Sequence, residues 1–186
     1  MGTLSALWLP ILLSAVFVFI TSSIVHMVLR YHASDYTRLP DEDAVRAAIR
    51  SGSPGPAQYI LPYCGTMKEM QTPEMQQKFV EGPVAVLNLR RPGPPSMGPS
   101  LAQWFIFSLV VSALVAYVAS HSLPPDAPGR NIFRVVGVTA FLAYAAGQIP
   151  AAIWMGKPWS VAWKEVFDGV LYAAVTAAAF YWLWPR

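Results

Sequence analysis

The sequence predicts an all-α membrane protein: a four-helix transmembrane bundle with a small α+β extramembrane loop between its first two helices. Of the 186 residues, 55% are hydrophobic and only 12% are charged. Soluble domains carry about 25% charged residues. The shortage is explained if much of the surface faces lipid. We expect the first transmembrane helix at 1–30, the loop at 31–100 and transmembrane helices two to four at 101–186.

Four stretches approach the length of about 20 apolar residues that a helix needs to cross a bilayer. The last one, 169–185, has only 17 residues after its nearest charged side chain. A full crossing must therefore draw Asp168 toward the apolar layer. All seven tryptophans lie near predicted helix ends, as expected for side chains that favour membrane interfaces. The apolar stretches are 1–29, 101–120, 135–156 and 169–185.

Small residues recur at every fourth position in three of the predicted helices. This spacing lets helix backbones approach closely within a membrane. We therefore expect these faces to pack inside the bundle, although chance in an alanine-rich chain is the alternative. The residues are Ser108, Ser112 and Ala116, then Ala143, Gly147 and Ala151, then Gly169, Ala173 and Ala177.

The loop carries ten of the seventeen prolines and seven of the ten acidic residues. Apolar runs at 58–63 and 84–89 predict two short strands. The loop has few large apolar residues for a core of its own, so we expect it to lean on the bundle or on a partner. Helix-start signals predict three short helices, at Pro40 with the acidic residues after it, at Thr66 and at Thr72.

Basic residues near helix ends predict the orientation, because Lys and Arg accumulate on the cytoplasmic side. Six of them lie on the side of the loop and three on the side of the termini. We therefore expect a multi-pass protein of the cell inner (plasma) membrane with loop 31–100 in the cytoplasm. The net charge of +3 is too small to indicate nucleic-acid binding. The expected partners are the lipid bilayer and either another membrane protein or a second copy of this chain.

Six polar residues fall at one level of the predicted bundle, on the side of the loop. Ionisable groups at membrane depth are costly, face the bundle interior and are candidates for function. Lys164 lies four residues before Asp168, so the two can pair on one helix face. That pair could also serve only to neutralise a helix end. The candidate ligand or proton site consists of His26, Gln103, Gln148, Lys164, Glu165 and Asp168.

The sequence lacks the motifs of the common enzyme classes. It contains no Walker A loop, no HExxH, no CxxC and no nucleophile elbow. The single cysteine, Cys64, excludes an intramolecular disulfide. His26, His32, Cys64 and the loop methionines include soft ligands that can bind Cu(I), but methionine is also a common filler of irregular cores. We assign no metal site and no cofactor from the sequence.

Three short runs, at 22–27, 35–42 and 182–185, give the chain a family resemblance. They read Ser-Ser-Ile-Val-His-Met, Asp-Tyr-Thr-Arg-Leu-Pro-Asp-Glu and Trp-Leu-Trp-Pro. The chain resembles small uncharacterised bacterial polytopic membrane proteins with no assigned activity. The resemblance covers both ends of the chain and implies a compartment but no mechanism.

Three functions are compatible with these patterns. A non-catalytic accessory or assembly subunit of a larger membrane complex is favoured, because catalytic motifs are missing and the loop is too small to stand alone. The alternative is a small carrier or ligand-binding membrane protein that uses the polar layer under the loop. A lipid- or quinone-modifying enzyme, with His26 and Asp168 as acid and base, is the third possibility.

Overall fold

Four long apolar helices dominate the computed structural model, which describes residues 4–185. Each is long and apolar enough to cross a membrane, which confirms the predicted number of such helices. We call them the first to fourth apolar helices. They are Leu4–Val28, Met97–Ser122, Gly129–Trp154 and Trp159–Leu183.

Eight α-helices and two β-strands follow one another along the described residues. In chain order they are α1 (Trp8–Ser23), α2 (Glu42–Ser51), β1 (Gln58–Leu61), α3 (Met67–Met70), α4 (Pro73–Glu81), β2 (Ala85–Asn88), α5 (Met97–Ser122), α6 (Gly129–Phe141), α7 (Gln148–Trp154) and α8 (Trp159–Leu183). The chain forms two compact units. One holds the four apolar helices, with the residues up to Asp35 and from Ser96 onward, and the other is Tyr36–Pro95.

Two of the apolar helices contain a π-helical turn. In the first, α1 continues into the π turn Ile24–Val28, and in the third, the π turn Leu142–Ala146 joins α6 to α7. A short 3₁₀ turn, Leu4–Leu7, precedes α1. Isolated π turns within helices often occur at functional sites.

The second and fourth apolar helices bury the faces of small residues that the sequence predicts. Ser108, Ser112 and Ala116 of α5 are fully buried. The Ser14 hydroxyl donates to the Ser112 hydroxyl at 2.9 Å, which joins α1 to α5. In α8 the predicted face is also buried, and it consists of Gly169, Ala173 and Ala177.

The third apolar helix does not bury the face that the sequence predicts. Ala143 and Gly147 are exposed, and Ala151 is only partly buried. The π turn explains the difference, since its extra residue rotates the chain beyond it relative to a regular α-helix. The buried side chains of this helix are instead Ile132, Val136, Ala140, Tyr144, Ala145 and Ala152.

Helix α8 is longer than the predicted span, because it begins at Trp159 rather than at residue 169. Asp168 is consequently its tenth residue, well inside the helix. Directly after it, Gly169 lies against the third apolar helix. A Cβ atom on Gly169 would lie 2.6 Å from the Cβ and 2.7 Å from the Cα of Ala145, so only glycine allows this approach.

The unit Tyr36–Pro95 confirms the predicted loop elements. Strands β1 and β2 pair antiparallel, with Gln58 opposite Asn88. Helices α2, α3 and α4 are each capped by a side chain that accepts a backbone N–H, those of Asp41, Thr66 and Thr72. Met75 is the only buried residue between Tyr36 and Pro95, a segment that the structure describes in full. This unit therefore has almost no core of its own.

Candidate functional site

Asp168 is a charged residue buried within the helical unit, with only 4% of its surface exposed. The sequence predicts this inward orientation from the short charge-free stretch after it. The Tyr31 hydroxyl donates to Oδ1 of Asp168, and Nε2 of His32 lies 2.8 Å from Oδ2. Two side chains from just beyond the first apolar helix therefore hold this carboxylate in place.

The backbone after the first apolar helix explains how these two side chains reach α8. Leu29 leaves the helical conformation, with φ −84° and ψ 105°, and a 3₁₀ turn follows at Arg30–Ser34. This turn directs Tyr31 and His32 toward α8. The predicted loop boundary at residue 31 is therefore displaced, because residues 31–35 belong to the helical unit.

Lys164 pairs with Asp35, and the predicted Lys164–Asp168 pair is wrong. The Lys164 ammonium lies 2.5 Å from Oδ1 of Asp35 and also donates to the Tyr31 carbonyl at 2.7 Å and the Ser34 hydroxyl at 2.9 Å. The 3₁₀ turn and Asp35 directly after it offer three acceptors to the end of this long side chain. Asp168 already has two hydrogen-bond partners of its own, Tyr31 and His32, so the spacing along α8 does not decide the pairing.

His32 connects the two carboxylates. Its Nδ1 lies 2.5 Å from Oδ2 of Asp35, and its Nε2 faces Asp168. A neutral imidazole carries a single N–H. Satisfying both carboxylates at once therefore requires either one additional proton or a cation on one side of the ring.

Outside the four apolar helices, two groups of this network have altered pKa values. Burial alone would raise the pKa of the Asp35 carboxyl, but the hydrogen bonds and charges of Lys164 and His32 outweigh it and lower the pKa. Burial, together with the hydrogen bond to Asp168, raises the pKa of the Tyr31 hydroxyl. Asp35 is therefore ionised at neutral pH, and Tyr31 remains a neutral hydrogen-bond donor.

His26 approaches the same carboxylate from the π turn of the first apolar helix. Its Nε2 lies 3.9 Å from Oδ2 of Asp168 and 3.4 Å from the Tyr172 hydroxyl. The His26 and His32 rings are 4.7 Å apart at their centroids. One ligand atom from each of His26, His32 and Asp168 can be chosen so that all three lie within 4.8 Å of one another.

An open cavity of about 410 Å³ lies next to this cluster and is lined by residues of the helical unit. Both π turns contribute to its wall, through His26 and Met27 in the first and Ala143 and Tyr144 in the third apolar helix. Aromatic rings make up much of the wall, and several polar side chains, Asp168 among them, also line it. The aromatic lining is Trp104, Phe107, Tyr144 and Tyr172, and the polar lining includes Ser22, Gln148, Glu165 and Asp168.

Four of the six predicted site residues line this cavity, namely His26, Gln148, Glu165 and Asp168. Glu165 also forms an ion pair with Lys157. Lys164 belongs to the adjacent network through Asp35. Gln103 is exposed and does not line the cavity, because the inward-facing position of this helical turn is taken by the next residue, Trp104.

The sequence did not predict that Tyr31 and Asp35 belong to the site, and it suggested His32 only as a possible copper ligand. All three residues fell inside the predicted loop, although a histidine followed three residues later by an aspartate directly after a helix is a usable signal. Trp104 was assigned to the membrane interface. It instead donates its indole N–H to the Ser22 hydroxyl at 2.8 Å and lines the cavity.

This arrangement has clear chemical capacities. A buried carboxylate beside two imidazole rings can hold a cation or exchange a proton, and the cavity can accommodate a small molecule.

No family model matches the chain, and neither a curated protein nor a solved structure is significantly similar to it.

Proposed function

We propose that this protein binds a small amphipathic molecule in the cavity between its apolar helices. The observation that carries the proposal is the buried Asp168 carboxylate in the cavity wall. An ionisable group in an apolar helix is costly, and such groups commonly mark ligand, ion or proton sites. Tyr31 and His32 stabilise the carboxylate without closing the cavity beside it.

The lining of the cavity indicates the kind of molecule. Ligand pockets commonly have volumes of about 300–1,000 Å³, apolar and aromatic walls and a few convergent polar groups. Here Trp104 and Phe107 offer apolar surface, while Gln148 and Asp168 offer polar atoms. The ligand should therefore carry an apolar body and a polar end directed toward Asp168.

The protein is proposed to act in the inner membrane, with the unit Tyr36–Pro95 on the cytoplasmic side. Four helices of sufficient length and apolarity support a multi-pass arrangement. The excess of Lys and Arg on the loop side supports this orientation.

Filling the cavity tests the proposed binding function. Ala143 lines the cavity, so Ala143→Phe should occupy part of it. Ala174 is exposed on α8 and outside the cavity lining, so Ala174→Phe is the matched control. Native mass spectrometry of protein purified in mild detergent should show a bound small molecule in the wild type and in Ala174→Phe, but not in Ala143→Phe. No bound molecule in the wild type, or the same one in all three proteins, would contradict the proposal.

A second candidate, an accessory subunit of a larger membrane complex, is favoured by a different observation. The unit Tyr36–Pro95 buries only Met75, while apolar side chains such as Tyr63 and Val80 are largely exposed. A partner protein could cover them. Stoichiometric co-migration with another protein on a native gel would support this function, whereas migration of the chain alone or as a homo-oligomer would count against it.

A further inference from the structure

We propose that His26, His32 and Asp168 form a binding site for a divalent transition-metal ion, with zinc as the reference ion. This inference deepens the proposed function, since the ion would stand at the polar end of the cavity. Nε2 of His32 and Nε2 of His26 lie 2.8 and 3.9 Å from the same atom, Oδ2 of Asp168. Two imidazole nitrogens and one carboxylate oxygen are a common ligand set for Zn²⁺ and Fe²⁺.

The surroundings of His32 have the features that metal-binding histidines usually show. Such a histidine generally donates its second ring N–H to a carboxylate, which fixes the tautomer and orients the ring. Here Nδ1 of His32 faces Asp35 at 2.5 Å, and Lys164 holds Asp35 from its other oxygen. With its proton on Nδ1, His32 directs the lone pair of Nε2 toward Asp168 and His26.

Asp168 is positioned in a similar way. The Tyr31 hydroxyl donates a hydrogen bond to Oδ1 of Asp168, and Oδ2 faces the two imidazole rings. The pairing of both His32 nitrogens with carboxylates otherwise requires an additional proton. A metal ion bound to both Nε2 and Oδ2 would supply positive charge in place of that proton. It would also lower the free-energy cost of burying the Asp168 carboxylate.

The number of protein ligands points to a site that is open to a further ligand. Structural zinc sites usually have four protein ligands, whereas catalytic and binding sites have three and keep one position for water or substrate. His26 and Asp168 line the cavity, so the free position would face it. An oxygen atom at the polar end of a small molecule could occupy that position.

The test uses the full-length protein in detergent micelles, stripped with a chelator and titrated with ZnCl₂ by calorimetry. We expect one ion per chain in the wild type. The Asp35→Asn variant changes no proposed zinc ligand but removes the carboxylate that orients His32 and pairs with Lys164, and it should lose about 10–100-fold in zinc affinity. His26→Ala and His32→Ala should each lose more than that. His121 lies outside the cluster, so His121→Ala should bind as the wild type does.

A second readout keeps the test independent of folding defects. His26 has a half-exposed side chain, so His26→Ala should retain the wild-type circular dichroism spectrum. Cobalt(II) should give the wild type the intense visible absorption of a four-coordinate site, and His26→Ala should lose it. Zinc binding of equal affinity in the wild type, His26→Ala and His32→Ala would overturn the proposal, as would no binding to the wild type.

The outcomes also separate this inference from the proposed function. A wild type that binds one zinc ion but carries no small molecule would refute the cavity proposal alone. A wild type that carries a small molecule, loses it in Ala143→Phe and binds no zinc would refute the metal site alone. In that second case the cluster is a hydrogen-bonded network that stabilises the bundle.

Discussion

The Lys164 ammonium of α8 lies 2.5 Å from Oδ1 of Asp35, a residue 129 positions earlier in the chain. Its partner is therefore not Asp168, which lies one turn further along the same helix. The contact ties the segment after the first apolar helix to the beginning of the fourth. The Asp35 side chain is only 6% exposed, so the pair is largely shielded from solvent. Its loss should therefore affect stability more than the loss of a surface pair.

Removing Lys164 should leave the Asp35 carboxylate buried without its cation. We expect Lys164→Met to lower the free energy of unfolding more than the double variant Lys164→Met/Asp35→Leu, because unpaired buried charges are costly. A double-mutant cycle should give a coupling energy of about 1–3 kcal/mol. The control is the exposed pair Arg38–Glu42, separated by 3.8 Å, whose cycle should give a coupling near zero. Equal coupling in the two cycles would contradict the prediction.

Gly169 and Gly147 should respond in opposite ways to the same substitution. A Cβ at Gly169 would meet the backbone of Ala145, so Gly169→Ala should destabilise the bundle by about 1–3 kcal/mol. Nothing lies within 4 Å of a Cβ at Gly147, whose φ of −66° suits alanine. Gly147→Ala should therefore leave stability unchanged or raise it by up to about 1 kcal/mol. Thermal unfolding in detergent measures both, and equal effects would refute the packing argument.

The Tyr31 hydroxyl should contribute measurably to stability through Asp168. Tyr31→Phe removes this donor and keeps the ring, so we expect a loss of about 1.5–3 kcal/mol, as for hydrogen bonds to charged groups. Tyr36, which is 92% exposed, provides the control. Tyr36→Phe should change the unfolding midpoint very little. Identical midpoints for the two variants would show that the Tyr31 contact is energetically neutral.

The orientation can be tested by cysteine labelling in a Cys64→Ser background. Ser53 lies in the unit Tyr36–Pro95, and Asp126 lies in the turn between α5 and α6. In intact cells, a membrane-impermeant maleimide should label Asp126→Cys and leave Ser53→Cys unmodified until the membrane is opened. The reverse pattern would invert the orientation, and labelling of both in intact cells would contradict the four-span topology.

The segment Tyr36–Pro95 should not fold alone. Met75 is its only buried residue, so little apolar surface is available to offset the loss of conformational entropy. The isolated segment should give a poorly dispersed proton spectrum and no cooperative thermal transition. A well-dispersed spectrum with a sharp transition would show that the capped helices and the β1–β2 pair are sufficient.

The sequence predicts features that depend on neighbours along the chain. Thr66 and Thr72 cap short helices as expected, and burial of Asp168 follows from the length of the apolar stretch after it. The partners of Lys164 and Asp168 could not be predicted in this way. They depend on where the chain turns after Leu29, and that turn brings together residues separated by more than a hundred positions.

The third apolar helix shows a second reason for failure. The predicted face of Ala143, Gly147 and Ala151 assumes one uninterrupted α-helix, and the π turn Leu142–Ala146 breaks that assumption. Composition gives no sign of this turn, since Ala, Leu and Tyr also occur in regular helices. The positions of Ala143 and Tyr144 in the cavity wall could therefore not be predicted from the periodicity of the sequence.

Because of the two π turns, the fold depends on the number of residues in these two segments as well as on their identity. Each turn holds one residue more than a regular helix would need, and His26 and Tyr144 lie within these turns. Deleting one residue there would restore an unbroken α-helix and rotate everything beyond it by roughly 100°. Relatives of this protein that keep the cavity should thus keep the residue spacing through both segments, even where the side chains themselves have diverged.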